Sequence, residues 1–207
     1  MSLPKGEELE GEDNTRPNFT TKTYKEARIT LWRSEPWIKA EVPGTRKATV
    51  IEKPELAADL LKQAGRILMI IGDGVSMDLS NRPLLDYVVE ISRILNTHIA
   101  TSSTAYVEIK KKLSTVTWIP PMEIAHRATD PEWMGLDGKG PYKMIVLIGL
   151  PYYMTWLILT GLKNFAQSIK TISLDRFYQP NASWSLRNMN INEWEQFLET
   201  LVDKLKT

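Results

Sequence analysis

The chain has 207 residues, of which 26 are basic and 25 acidic, and it contains no cysteine. This near-neutral balance argues against a broad electrostatic attraction to nucleic acid or to an anionic membrane. The absence of cysteine excludes a disulfide framework, a thiol nucleophile and a cysteine-held iron–sulfur cluster on this chain. Its two histidines, His98 and His126, lie far apart and outside any zinc motif, so the sequence predicts no metal site.

The first quarter of the chain is polar and irregular in composition. Residues 1–23 carry several acidic side chains and few large apolar ones, which predicts a mobile arm. They lack the apolar core of a signal peptide, so we expect a cytoplasmic protein. Residues 24–52 combine tryptophan and arginine with proline and glycine, which fits either packing on the chain's own domain or docking on a partner. The side chains assigned to partner docking are Trp32, Arg33, Trp37, Arg46 and Lys47.

Residues 53–207 are predicted to form one doubly wound, Rossmann-like α/β domain. A helix begins at Pro54, and an unbroken apolar strand follows at residues 66–71. A mostly buried helix follows Pro83. Further strands are predicted to alternate with helices and to complete a parallel sheet of five to six strands, at residues 97–101, 115–119, 143–148 and 168–174. A loop over residues 175–189 leads to a last helix, which Asn190 and Glu193 can cap. Its apolar residues at helical spacing predict one buried face, formed by Trp194, Phe197, Leu198, Leu201 and Leu205.

An uncharged run at residues 144–162 raises the alternative of a membrane span, because about 20 apolar residues cross a bilayer. Gly149 and Pro151 interrupt this run near its middle and divide it into a strand-length piece and a helix-length piece. The sequence therefore favours a strand, a turn and a buried helix from about Tyr152 to Asn164.

The turn Gly72-Asp73-Gly74, directly after the first strand of this domain, is the first candidate cofactor-binding site. A Gly-x-Gly turn at the carboxyl end of a parallel strand often lies against nucleotide phosphates. The match is weak, because Met77 replaces the third glycine of the dinucleotide fingerprint and a carboxylate repels phosphate. Asp73 is expected either to accept from ribose hydroxyls or to cap a turn, with a pyrophosphate over Gly74 and Val75.

The other cofactor-binding candidates follow later strands. Gly149 and Tyr152 are expected to face the Gly-Asp-Gly turn, since the crevice of a doubly wound sheet lies where the strand order reverses. Tyr152 and Tyr153 could stack on a ring, although packing in the core is the commoner role. Asp175 and Arg176 could contact ribose and phosphate or form an ordinary turn. The sequence shows no nucleophile with a base and no paired carboxylates, so it predicts no catalytic residue.

Two resemblances to known families accompany these patterns. Residues 24–30 (YKEARIT), 33–47 (RSEPWIKAEVPGTRK) and 66–74 resemble the epsilon subunit of the archaeal CO dehydrogenase and acetyl-CoA decarbonylase/synthase complex. Residues 54–75, 142–149 and 169–175 are more loosely similar to the middle domain of thiamine-diphosphate enzymes, a DHS-like NAD/FAD-binding fold.

These resemblances imply a function that the residues alone do not. The first implies a non-catalytic accessory subunit, bound to the large metal-cluster (alpha) subunit of CO dehydrogenase in a two-plus-two heterotetramer. Its role would be to stabilise that subunit or to assist electron transfer to FAD. The second implies an alternative, a carrier of FAD or a nucleotide. An electron relay through this chain would need such an organic cofactor, because the chain has no cysteine to hold a cluster.

Overall fold

Seven parallel strands form one sheet in the computed structural model, which describes residues 46–207. The strands lie in the order β1-β7-β6-β5-β2-β3-β4. Their bounds are β1 (Thr49–Ile51), β2 (Ile67–Ile71), β3 (His98–Thr101), β4 (Val116–Trp118), β5 (Met144–Ile148), β6 (Lys170–Ser173) and β7 (Trp184–Leu186). From β2 the chain proceeds outward in one direction to β4, and from β5 it proceeds in the other direction to β7. The strand order therefore reverses between β2 and β5.

Helices cover both faces of this sheet. Within the described residues they are α1 (Pro54–Gln63), a 3-10 helix (Asp73–Ser76), α2 (Leu84–Leu95), α3 (Tyr106–Lys112), α4 (Pro121–Arg127), α5 (Tyr152–Phe165) and α6 (Ile191–Lys206). Apolar side chains of α1, α2, α3 and α6 share one core cluster, and those of α4 and α5 share the other. The predicted α/β fold class with a doubly wound parallel sheet is confirmed.

The central strands β2 and β5 separate the two cores. Every residue of both strands is buried. Side chains alternate along β2, so that Met69 and Ile71 join one core while Leu68 and Ile70 join the other. A strand covered on both faces needs apolar residues at every position, which explains the unbroken apolar runs in the sequence.

The two strands β1 and β7 are absent from the prediction. β1 lies within residues 24–52, which were expected to be irregular, and β7 lies within the expected loop 175–189. They pair with each other, with Thr49 opposite Trp184, and place β1 at one edge of the sheet. Three residues are too few to show a periodic pattern, so strand formation here depends on the neighbouring strand rather than on local sequence.

The uncharged run at residues 144–162 divides as expected into β5, a turn at Gly149 and helix α5. Within residues 46–207, no helix is both long enough and apolar enough to cross a membrane. The predicted capping of the last helix is also confirmed. Asn190 Oδ1 accepts from the backbone N–H of Glu193 at 2.9 Å, and Glu193 Oε2 accepts from the backbone N–H of Asn190 at 3.3 Å.

Candidate functional site

A cavity of about 360 Å³ opens at the carboxyl ends of β2, β5 and β6, beside the reversal of strand order. Such a reversal is where doubly wound proteins usually bind ligands. The lining comes from the turn after β2, the loops after β5 and β6, and the starts of α2 and α6. It consists of Asp73, Gly74, Met77, Leu84, Gly149, Leu150, Pro151, Tyr152, Asp175, Arg176, Phe177, Gln179 and Trp194. We call this cavity the crevice.

Most of the residues predicted to bind a cofactor meet in the crevice. Six of them line it, namely Asp73, Gly74, Gly149, Tyr152, Asp175 and Arg176. The other two lie outside the lining, since Val75 is buried in the core and Gly72 packs against the neighbouring loop. Cofactor binding by all eight stays a prediction.

The glycines of the Gly-Asp-Gly turn allow two loops to approach each other. The Gly72 N–H donates to Ile148 O at 3.1 Å, and the Gly74 N–H donates to Gly149 O at 2.8 Å. A Cβ on Gly72 would lie against the Gly149 carbonyl and 2.6 Å from Leu150 Cα. Gly149 itself has a φ of 73°, in the left-handed region that favours glycine. Close backbone packing between the loops after β2 and β5 therefore accounts for these glycines.

The amide groups expected to hold a pyrophosphate already have partners within the chain. The Gly74 N–H is held by Gly149 O, and the Val75 N–H donates to Gly72 O at 3.3 Å. Asp73 Oδ1 accepts from the backbone N–H of Thr104 at 3.0 Å, so this carboxylate links the turn to the loop after β3. A phosphate over Gly74 and Val75 would have to replace these hydrogen bonds.

Asp175 is the most electrostatically perturbed group of the crevice. It follows β6, and its Oδ1 accepts from the backbone N–H of Gly149 at 2.7 Å. Burial raises the pKa of this carboxyl to about 7, although the Gly149 hydrogen bond opposes the rise. The group therefore changes charge near neutral pH.

The neighbouring Arg176 contacts the aromatic ring of Phe177. Its guanidinium carbon lies 4.2 Å from the centre of the Phe177 ring, a distance typical of a cation–π contact. Burial lowers the pKa of Arg176. The crevice thus combines two carboxyl groups and one arginine with a largely apolar lining.

The two tyrosines at the start of α5 correct the preferred interpretation from the sequence. Packing in the core is wrong for both, because Tyr152 and Tyr153 are exposed. Tyr152 also lines the crevice, and its hydroxyl donates to Tyr178 O at 3.2 Å. Its pKa is raised by burial of the hydroxyl end.

Gln179 also lines the crevice, although no sequence pattern predicted it. Its side chain is only 1% exposed, and its Nε2 donates to Tyr152 O at 3.2 Å. The buried Oε1 has no hydrogen-bond partner among residues 46–207. A single glutamine in a predicted loop does not indicate a binding residue, because only the fold brings it beneath α5.

Trp194 was predicted as part of the apolar face of the last helix, and it is buried as expected. Its indole Nε1 donates to Leu174 O at 2.8 Å, at the end of β6. The same ring lines the crevice. The apolar period of α6 predicted that this residue is buried, but no sequence pattern connected it with a binding site.

Two of the five residues assigned to partner docking lie in the described part of the chain. Arg46 and Lys47 are exposed and line a groove of about 700 Å³ with Lys163 and Lys170. Among residues 46–207, no carboxylate lines this basic groove. Trp32, Arg33 and Trp37 lie outside the described residues.

Helix α5 differs from the prediction in its outer face. It was expected to be buried, but only one side packs on the sheet, through Ile158, Leu159 and Leu162. On the other side Tyr153 is 64% exposed, Leu157 49% and Phe165 75%. These three side chains, spaced by four and eight residues, form a row along the helix that we call the α5 stripe. Its carboxyl end adjoins the basic groove, which residues 162–164 of α5 help to line.

Among residues 46–207, no three His, Asp or Glu side chains are grouped so as to hold a metal ion. The fold and its sites define a doubly wound α/β protein with an apolar crevice and an exposed apolar helix. The chain belongs to the family of the CO dehydrogenase beta subunit/acetyl-CoA synthase epsilon subunit, whose sequence model matches residues 31–203.

Individual relatives agree with this assignment. The chain is 34% identical over 153 residues to the acetyl-CoA decarbonylase/synthase complex subunit epsilon 1 of Methanosarcina barkeri, covering 73% of this chain and 86% of the relative. It is 29% identical over 167 residues to subunit epsilon of Methanothermobacter thermautotrophicus, covering 80% and 93%. It is also 29% identical over 170 residues to subunit epsilon 1 of Archaeoglobus fulgidus, covering 80% and 89%.

Proposed function

We propose that this chain is a non-catalytic accessory subunit of the CO dehydrogenase component of an acetyl-CoA decarbonylase/synthase complex. In this proposal it docks on the large metal-cluster alpha subunit, which carries the catalysis, and stabilises it in a two-plus-two heterotetramer. The family assignment supports membership in a multi-subunit complex. The observation that carries the docking proposal is the α5 stripe, because Leu157 and Phe165 expose large apolar surfaces to water.

The α5 stripe and the basic groove together match the anatomy of a protein interface. Tyrosine, phenylalanine and leucine supply apolar contact area, and a polar rim surrounds such areas in stable complexes. Here the rim is basic, with Lys163 and Lys170 beside the carboxyl end of α5. Arg46 and Lys47, assigned to docking from the sequence, belong to this rim. The complementary partner surface would be apolar with acidic groups at its edge.

Co-purification with the alpha subunit tests this docking surface. The double substitution Leu157→Ser and Phe165→Ser removes most apolar area from the α5 stripe, and we expect it to abolish co-purification. Val107→Ser is the control, because Val107 on α3 is 59% exposed, between Leu157 and Phe165, and lies away from the stripe. Unchanged assembly of the double variant would contradict docking through α5. Trp37→Ala and Arg33→Ala then test the assignment to residues 24–52.

A second candidate function is a carrier of FAD or another nucleotide, which would assist electron transfer from the catalytic subunit. The crevice supports it, because it lies at the reversal of strand order and gathers six of the predicted cofactor-binding residues. The similarity to the middle domain of thiamine-diphosphate enzymes stays a prediction from the sequence. Titration of the pure chain with FAD, followed by flavin fluorescence, tests this function. Absence of a saturable change at high micromolar FAD would reject it.

A further inference from the structure

We propose that the crevice binds one planar heteroaromatic ring that donates N–H hydrogen bonds to Gln179 and Asp175, and that the ring rather than a phosphate provides the affinity. This inference rests on the second candidate function and specifies the ligand class for that site. It assigns the specificity to Gln179, a residue with no recognisable sequence signal.

The unpartnered amide oxygen of Gln179 is the first argument. The side chain is 1% exposed, and its Nε2 is fixed by the hydrogen bond to Tyr152 O. That bond leaves Oε1 as a buried acceptor without a donor among residues 46–207. A buried polar atom without a partner is costly, since its hydration is lost and nothing replaces it. A ligand N–H in the crevice would supply the missing hydrogen bond.

Asp175, four residues before Gln179 in the connection from β6 to β7, supplies a second acceptor. Its Oδ1 is held by the Gly149 N–H, and its Oδ2 has no hydrogen-bond partner among residues 46–207. When ionised this oxygen is an acceptor only, and it therefore also selects for a donor. The other ionisable groups on the lining are Asp73, Arg176 and Tyr152. With Asp73 and Asp175 against the single Arg176, the lining offers no excess of positive charge for an anionic ligand.

The apolar lining favours a ring. Met77, Leu84, Leu150, Phe177 and Trp194 surround the polar groups, and aromatic and aliphatic walls of this kind stack on flat ligands. A volume of about 360 Å³ lies near the lower end of the range for small-molecule sites, roughly 300 to 1,000 Å³. The crevice therefore suits one ring system better than a complete dinucleotide.

The occupied amides argue against a phosphate anchor. Phosphate sites in doubly wound folds use backbone N–H groups that point freely at the ligand. In this chain the Gly74 and Val75 N–H groups donate to Gly149 O and Gly72 O. Ring recognition needs no such amide, because the acceptors are side-chain oxygens.

Isothermal titration of the full chain at pH 8 tests the proposal with three ring-bearing probes, namely adenosine, guanosine and riboflavin, and with their 5′-phosphates. We expect at least one of the three parents to bind saturably, and its 5′-phosphate to bind no more tightly. Lack of saturable binding by all three parents up to about 1 mM would overturn the proposal. So would a 5′-phosphate that binds more than about tenfold tighter than its parent.

Two variants locate the hydrogen bond. Gln179→Met keeps the length of the side chain but removes the acceptor, and we expect about tenfold weaker binding of the probe. Asn188→Ala is the matched control, because Asn188 Oδ1 holds the same loop through the Tyr178 N–H at 2.8 Å and lies outside the lining. An equal loss of affinity in both variants would assign the effect to loop integrity and overturn the role of Gln179.

The same preparations separate this proposal from the docking proposal. If the probes fail to bind while the chain still co-purifies with the alpha subunit, only the ring site is rejected. If the chain binds a probe but does not co-purify, only the accessory-subunit assignment is rejected.

Discussion

Two aspartates at opposite ends of the sheet have pKa values shifted in opposite directions. Asp175 follows the carboxyl end of β6, where burial raises its pKa to about 7. Asp137 lies near the amino end of β2, where its two oxygens accept from the Arg66 guanidinium at 2.6 and 3.3 Å. The hydrogen bonds from Arg66 hold the pKa of Asp137 well below its usual range. These shifts give the two groups opposite effects on how the free energy of unfolding changes with pH.

We expect Asp175 to make the protein less stable as pH rises. An unfolded aspartate titrates near its ordinary pKa of 3.8, whereas the folded one titrates near 7. Between these values the folded state binds more protons, so the free energy of unfolding falls with rising pH and levels off above about pH 7. Because the residue as a whole is only partly buried, we expect a loss on the order of 2 kcal/mol, which is less than the full pKa shift would give. Urea unfolding at several pH values measures it.

Asp175→Asn should remove this fall, since the amide does not titrate and still accepts from the Gly149 N–H. Asp137→Asn is the informative comparison, because Asp137 changes the free energy of unfolding with pH in the opposite direction. The Arg66–Asp137 pair contributes stability above pH 3.8, and that contribution disappears as the carboxylate is protonated at lower pH. A pH profile of Asp175→Asn that matches the unsubstituted chain between pH 4 and 7 would contradict the assigned pKa.

At the scale of elements, the approach of the loops after β2 and β5 makes Gly72 intolerant of any side chain. A methyl group there meets backbone atoms of Gly149 and Leu150, which cannot rotate away. We expect Gly72→Ala to destabilise the fold by about 3 kcal/mol or more, because the loops must separate and break the Gly74 N–H to Gly149 O bond. Chemical denaturation measures the change.

Gly161→Ala is the matched control for this substitution. Gly161 lies inside α5, and an added Cβ there meets no atom within 4 Å. Alanine has a higher helix propensity than glycine, so we expect a gain of about 1 kcal/mol. Equal effects of the two substitutions would show that the backbone approach at Gly72 has no special role.

Helix α6 is fastened to the segment before α2 by Glu195. This carboxylate is 2% exposed and accepts from the backbone N–H groups of Ser80 at 3.0 Å and Asn81 at 2.7 Å. Although burial opposes it, these hydrogen bonds keep the pKa of Glu195 below its ordinary value. No sequence pattern predicted the contact of Glu195 with these backbone N–H groups, because a glutamate on a surface helix normally faces solvent.

We expect Glu195→Gln to destabilise the protein by about 2 kcal/mol. A glutamine oxygen replaces at most one of the two acceptors, and its amide nitrogen then faces a backbone N–H without a bond. Glu199→Gln is the control one turn further along, since its contact to Asn81 Nδ2 is long at 3.5 Å and exposed. Thermal unfolding of the two variants measures the difference, and similar midpoints would contradict the anchoring role of Glu195.

For the whole molecule, five of the seven strands were predictable from the sequence, and the two at one side of the sheet, β1 and β7, were not. The apolar runs at β2 and β5 specify strands covered on both faces, and alternation with helices specifies a parallel sheet. β1 and β7 are formed by pairing at the edge, which local sequence does not encode. The residues of the crevice likewise include some that were predictable from the sequence and some that were not. Strand ends indicated Asp175 and Gly149, whereas Gln179 reaches the crevice through the path of a connecting segment.

The exposed side of α5 was not predicted for the same reason as β1, β7 and Gln179. In each case the local sequence does not specify which neighbouring surface the segment will contact. An apolar helix sequence predicts burial but does not say what buries it. One side of α5 packs on the sheet, whereas the α5 stripe is exposed. In the docking proposal α5 is apolar on both sides because it would contribute to two interfaces, one with the sheet and one with the alpha subunit.

The basic groove should act on the rate of association more than on the lifetime of the complex. Its lysines lie at the rim of the proposed docking surface, where charges steer encounter and remain partly hydrated. We expect Lys170→Glu to slow association with the alpha subunit about three- to tenfold at low salt, with little change in dissociation. The effect should vanish near 1 M salt, where the screening length is roughly 3 Å.

Lys110→Glu is the control for this substitution. Lys110 is exposed on α3 toward the opposite edge of the sheet, so its substitution makes the same charge change outside the groove and should leave the rate of association unaltered. Stopped-flow or surface-binding kinetics over a salt series measures both variants, and equal slowing by the two would mean that net charge rather than the basic groove steers the partner.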